Sequence, residues 1–192
     1  MLTELVRRYW VLGIECTVLE VQKLAYFLER QISIRGLSNP LNLGYRADRF
    51  GPFSPKLRHL LDALDGSYLH CDKRLADAGP MDVIGYDDAK MEKVALYVRT
   101  EAKPYTEALD ATSNLIEGFE SPLGMELLAT VDWLIQQRRV EPRPEAIKAA
   151  LKEWPGGKGA GARKLKLFND RMIALALFQL DRLEQPDPSL RD

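Results

Sequence analysis

The sequence is poor in the residue types that short catalytic and metal motifs are made from. It has two cysteines, Cys16 and Cys71, and two histidines, His59 and His70. Two isolated cysteines build no disulfide framework, and neither stands in a Cys-x-x-Cys pair. They read as small hydrophobes in a reducing compartment. No zinc ligand set forms at helical or knuckle spacing, so the sequence predicts no metal and no cofactor. His70 and Cys71 are neighbours and on a strand would point to opposite faces, which argues against a nucleophile–base pair. Gly-x-Ser-x-Gly, His-Glu-x-x-His and a strand-borne Gly-x-Gly-x-x-Gly are absent. No apolar run approaches the roughly 20 residues that span a bilayer. Glu4, Arg7 and Arg8 interrupt the first apolar residues, so no signal-peptide core is read there. These absences together predict a cytoplasmic protein with no catalytic residues of its own and no membrane contact.

Cations are missing from one long stretch. Between Pro104 and Ile135 there is no Lys or Arg, yet Glu107, Asp110, Glu117, Glu120, Glu126 and Asp132 all lie there. Such a stretch has no ion pair of its own, so its acids must meet distant cations, water or a partner. The net charge of −1 hides this unevenness. Residues 1–58 carry nine basic and five acidic side chains (+4), residues 59–140 eight and fifteen (−7), and residues 141–192 ten and eight (+2). An acidic middle disfavours direct nucleic-acid binding. Its carboxylates suit a protein whose Arg and Lys grip phosphates.

What is present describes an ordinary globular chain. Of 192 residues, 46% are hydrophobic and 29% charged, enough for one domain with a sizeable core. Helices are predicted over residues 4–12, capped by Thr3 and stopped by Gly13, and from Thr17 to about residue 31, where Thr17 and Glu20 make a capping box. The second is apolar around most of its circumference and belongs in the core. Ser54-Pro55 starts a helix that Gly66 ends. Short strands are predicted within residues 41–50, 68–71 and 81–84. Further helices follow over 87–102, 104–117, from Ser121-Pro122, from Pro144 to Trp154, and over 163–183. The fold class is therefore mostly α, α+β with a minor short-stranded β element, in one compact multi-helix domain over residues 1–185, with residues 186–192 a flexible tail. The loop from Gly156 to Gly161, followed by Arg163, Lys164 and Lys166, invites an anion-binding reading. It lacks the Gly-Lys-Ser/Thr order and a preceding strand, which favours a hinge.

Three segments carry a resemblance. Residues 19–28 (LEVQKLAYFL), residues 50–61 (FGPFSPKLRHLL) continuing through Gly66 to Leu69, and residues 118–131 (GFESPLGMELLATV) are similar, in order and spacing, to the C-terminal domain of the DarG antitoxin family. Panacea (SocA-like) antitoxin domains carry a comparable Lys-Leu-x-Tyr-Phe helix and Gly-Pro turn. The DarG resemblance implies a domain that binds a DarT-like DNA ADP-ribosyltransferase toxin and covers its DNA-binding surface, here with carboxylates imitating DNA phosphates. The family's macrodomain, which removes the modification, has no counterpart in this sequence, so the resemblance brings no hydrolase activity with it. Two alternatives are a Panacea-like antitoxin or adaptor with another protein partner, and an enzyme that binds a nucleotide or ADP-ribose through the Gly156–Gly161 loop.

Within the similar segments, Leu24, Phe27, Leu127, Leu128 and Val131 read as packing residues, and Gly51, Pro52, Gly118 and Gly124 as backbone-geometry residues. The polar positions Gln22, Lys23, Glu117, Glu120, Glu126 and Thr130 are the expected partner contacts.

Overall fold

Two nearly all-round apolar helices organise the molecule, which is known from a computed structural model describing residues 1–184. The expected tail, 186–192, lies outside the described residues. Helix α1 covers Leu2–Val11, strand β1 Cys16–Thr17 and helix α2 Val18–Ile34. Thr17 caps α2 as the sequence predicts: its hydroxyl accepts from the Glu20 N–H while the Glu20 carboxylate accepts from the Thr17 N–H. Twelve of the 17 residues of α2 are buried, among them Phe27 and Leu28, each worth about 1.5–3 kcal/mol on leaving water. Strands β2 (Arg46–Asp48) and β3 (Gly51–Phe53) form a tight antiparallel hairpin that runs directly into α3, Pro55–Leu64.

Strand β4 (Leu69–His70) and β5 (Val83–Tyr86) join β1 in a small antiparallel sheet of order β1-β5-β4. Helix α4 follows at Met91–Arg99, α5 at Thr106–Ile116, α6 at Pro122–Arg138, α7 at Pro144–Lys152, α8 at Ala160–Leu167 and α9 at Asp170–Glu184. Ser121 caps α6 by accepting from the Gly124 N–H, and Pro122 occupies its first turn. Helix α6 lies centrally against α2, α9 and β3, and most of the buried apolar side chains among the described residues form one contiguous cluster. The mostly helical, single-domain class holds.

Four local expectations need correction. Helix α1 starts at Leu2, so Thr3 sits inside it, buried, and caps nothing. Ser54 occupies the N-cap of α3, but its hydroxyl donates to the Leu43 carbonyl at 2.7 Å and makes no side-chain cap bond. Single turns of 3-10 helix, Asp88–Lys90 and Lys103–Tyr105, precede α4 and α5, which therefore begin later than predicted. The last helix is two: the chain breaks at Phe168, whose side chain is buried, and Asn169 caps α9 by accepting from the Met172 N–H.

Candidate functional site

The hairpin β2–β3 is held against the helices by buried polar chemistry rather than by apolar contact alone. Gln22 on α2 meets Ser54 through both ends of its amide: its Nε2 donates to the Ser54 carbonyl at 3.0 Å and its Oε1 accepts the Ser54 N–H at 3.1 Å. One helical turn is thereby stitched to the start of α3. Next to it, Lys23 Nζ donates to the Pro52 carbonyl at 2.7 Å. Lys23 is 2% exposed. Burial, and then the nearby Lys164 charge, pull its pKa down to about 7, against the opposing pull of Glu126 and Asp48.

Glu126 is the centre of the cluster. It is 1% exposed, and one oxygen accepts from both Lys164 Nζ and Arg163 Nη1, each at 2.6 Å. Lys164 Nζ also reaches Thr130 Oγ1 at 3.4 Å and lies 5.1 Å from the Trp154 ring centre. Burial lowers the Lys164 pKa, and the Glu126 contact opposes that shift. A carboxylate and an ammonium this deep persist because each satisfies the other. Arg163 extends from Glu126 over the face of Phe50, at 4.8 Å, while Arg49 lies over the same ring at 5.3 Å.

Three glycines make this packing achievable. Gly51 adopts φ +92°, a left-handed conformation that other residues rarely take, and an added Cβ would stand 2.9 Å from Thr130 Oγ1. At Gly156 a Cβ would fall 2.1 Å from Trp154 Nε1 and 2.3 Å from the Asp48 carbonyl, the pair joined by a 3.0 Å hydrogen bond. Gly161 lies inside α8, where a Cβ would strike the Leu151 carbonyl at 2.2 Å. These end glycines of the 156–161 segment seat α8 against α7 and the hairpin, which is a packing role rather than a phosphate cradle.

A cleft of about 230 Å³ opens beside the cluster. Its walls are the first turns of α2 with Lys23, the hairpin from Asp48 to Phe53, Arg58 on α3, and Ala78 and Pro80. The backbone N–H groups that start α2 are already taken: Val18 donates to Asp82, Leu19 to Pro80 and Glu20 to Thr17. Any affinity of the cleft for an anion therefore comes from its side chains.

The six expected contact residues divide sharply. Gln22, Lys23, Glu126 and Thr130 are brought together, but inside the molecule, 4% exposed or less and bonded within the chain. A side chain so buried offers no surface to a second protein, so their assignment as direct contacts is corrected. Glu117 is exposed, and Glu120 is half-buried with its carboxylate accepting from the Gly118 N–H. The acidic stretch is not a bare carboxylate face either. Glu107 faces Arg35, Asp110 meets Arg8, Glu126 meets Arg163 and Lys164, and Asp132 meets Arg30. Sequence reading passed over Asp48, Arg49, Arg58 and Trp154 as site residues. The Gly51-Pro52 turn that it did single out was the available signal for the first three.

Among the described residues no three His, Cys, Asp or Glu side chains gather as a metal site, and no helix is long and apolar enough to cross a membrane. No family model matches the chain. The chain is 30% identical over 163 residues to proteins of Mycobacterium bovis and Mycobacterium tuberculosis, each named DNA ADP-ribosyl glycohydrolase, covering 83% of this chain and 42% of theirs. It is 34% identical over 128 residues to a protein of the same name from Thermus aquaticus, covering 67% of this chain and 33% of that one. The chain thus matches less than half the length of each of these relatives. Their shared name is that of a hydrolytic enzyme. It overturns the expectation of a DarG-type antitoxin domain that neutralises a toxin, and with it the expectation that the protein is not an enzyme.

Proposed function

We propose that this chain takes part in the enzymatic removal of ADP-ribose from DNA, and that its contribution is to engage the modified DNA. The observation that carries this reading is 30% identity, over 83% of the chain, to proteins named DNA ADP-ribosyl glycohydrolase. The geometry is compatible with engagement of substrate as this chain's share of the work. Its buried polar groups are committed to holding the hairpin and α8 in place, and the cleft beside them is lined mostly by apolar side chains, Phe50 and Phe53 among them, with Arg49 and Arg58 the exposed cations on its wall. A rigid wall presenting side chains from a short hairpin is how scaffolds commonly position ligands. A cytoplasmic setting, where DNA is accessible and the two free cysteines, Cys16 and Cys71, stay reduced, belongs to the same proposal.

The test is direct. The purified chain is titrated with an ADP-ribosylated oligonucleotide and with the same oligonucleotide unmodified, and released ADP-ribose is measured in parallel. Preferential binding of the modified strand by tenfold or more, or release of ADP-ribose, supports the reading. Equal affinity for both strands with no release sinks it.

A further inference from the structure

We infer that Lys23 is a proton-operated latch: with its amine neutral the β2–β3 hairpin lies closed on α2 and α6, and with its ammonium charged the hairpin opens from them. The latch sets whether the cleft has a rigid wall, whatever ligand the cleft takes.

The hairpin depends on its anchors. Each of its strands has three residues, Arg46–Asp48 and Gly51–Phe53, and a lone two-stranded hairpin is marginal in water. Two anchors flank β3. Trp154 Nε1 donates to the Asp48 carbonyl before it, and Gln22 grips Ser54 after it. Among the described residues, Lys23 is the one side chain that hydrogen-bonds to β3 itself, through the Pro52 carbonyl. Gly51 is pressed into the same place. A Cβ there would stand 3.6 Å from Lys23 Cε, 3.6 Å from the Glu126 carbonyl and 2.9 Å from Thr130 Oγ1. The hairpin therefore closes directly over the end of Lys23.

Charge decides what that closure costs. The Glu126 carboxylate bonds Lys164 and Arg163, and Lys23 pairs with no carboxylate among the described residues. Three cations thus share one bonded carboxylate. Lys23, 2% exposed, holds only a neutral carbonyl. Asp48 on the hairpin attracts it, but that carboxylate accepts the Arg49 N–H. Lys164 on α8 repels it, and Arg58 on α3 adds positive charge to the cleft wall. A buried ammonium without a carboxylate is costly, and a like charge beside it raises the cost.

Of the three cations, Lys23 is the one free to shed a proton. Lys164 is bonded to Glu126, and the Arg163 guanidinium does not titrate. The neutral amine still donates an N–H to Pro52, so the closed hairpin keeps its bond while the proton passes to water. Regaining that proton draws the ammonium toward water. The cleft already borders Lys23 on the hairpin side, so lifting the hairpin is the short way there. The Lys23 pKa, lowered by burial to about 7, puts the change near neutrality.

Hydrogen exchange read by mass spectrometry on the full chain, at pH 6.5 and 8.5 with the intrinsic pH effect removed, follows the opening. Peptides covering residues 46–53 should exchange at least about fivefold faster at pH 6.5, because opening takes up a proton above pH 7. They should also exchange faster than peptides from α6, because the opening is local. In Lys23→Met the pH difference should vanish. Hairpin exchange that ignores pH in the wild type, or keeps its pH dependence in Lys23→Met, overturns the latch. So does hairpin exchange no faster than that of α6, which would make the opening global unfolding. Should Lys23→Met fail to fold, the wild type alone decides. Its Lys23 side-chain resonance should titrate over the same pH range as the hairpin exchange changes, and a Lys23 that keeps one charge state from pH 6 to 9 overturns the latch.

Discussion

Helix α5 turns Glu107 and Asp110 to the surface, where their side chains are 76% and 55% exposed and meet Arg35 and Arg8. Helix α6 takes Glu126 and Asp132 inside, at 1% and 3%, and gives them Lys164, Arg163, Tyr26 and Arg30. All four acids lie in the Pro104–Ile135 stretch, which holds no Lys or Arg, and in sequence they look alike. The difference teaches where the fold keeps its specificity. A surface pair is worth at most about 1 kcal/mol, because water screens it and two long side chains must be held still. A buried pair adds little net stability against an apolar alternative, yet losing one partner costs several kcal/mol. Helix α6 is therefore the part that tolerates only one arrangement of its neighbours.

The strongest way to break the comparison is Glu126→Ala. It strands Lys164, fully buried, and removes the anchor of Arg163, so we expect a loss of about 3–5 kcal/mol in urea denaturation. A loss below about 1 kcal/mol would place Glu126 with the surface acids of α5. Asp132→Asn should cost less, roughly 1–3 kcal/mol. The amide keeps one acceptor for the Tyr26 hydroxyl, now at 2.6 Å, and Arg30 is 20% exposed and can turn to water.

Lys23 sharpens the contrast through pH. Its folded pKa, about 7, lies below the roughly 10.4 of an unfolded lysine. Between these values the unfolded chain binds more protons, so the lysine makes stability rise with pH, and its penalty is fully present below pH 7. The rise should be roughly 1–2 kcal/mol from pH 7 to 8.5. Above that range the buried Cys16 thiol, pushed up by burial, opposes it, because the unfolded thiol gives up its proton first. Unfolding free energies of wild type and Lys23→Met across pH 6.5–8.5 test this. A parallel rise in both proteins would assign the slope to other groups.

How much of this was legible in the sequence depends on distance along the chain. The Thr17–Glu20 capping box and the Ser121-Pro122 start are written within four residues, and both formed as read. Lys23 and Glu126 each stand inside an otherwise apolar helix face, a local sign that a charge is going inside. Their partners are not local: Lys164 is 38 residues from Glu126, and Pro52 is 29 from Lys23. No period or spacing carries that information, which is why these residues looked like surface contacts. The break at Phe168 was missed for a related reason. Tertiary burial of one aromatic overrides a helical pattern that continues on either side of it.

The smallest effect concerns Asp110, and it tests the exposed half of the contrast. Asp110 Oδ1 accepts from Arg8 Nη2 at 2.7 Å, a short distance that in isolation suggests a strong pair. Arg8 is not held by it alone. It also donates to Ser113 Oγ at 2.8 Å and the Leu109 carbonyl at 3.1 Å, and it pairs with Glu4 at 3.0 Å. Removing Asp110 leaves those three contacts and exposes no buried charge. Asp110→Ala should therefore cost under about 1 kcal/mol, and less still at high salt. In a double-mutant cycle with Arg8→Ala, the coupling should fall within about 0.2–1 kcal/mol. A coupling of several kcal/mol that survives high salt would mean that α5 is fastened through its surface acids as firmly as α6 is through its buried ones.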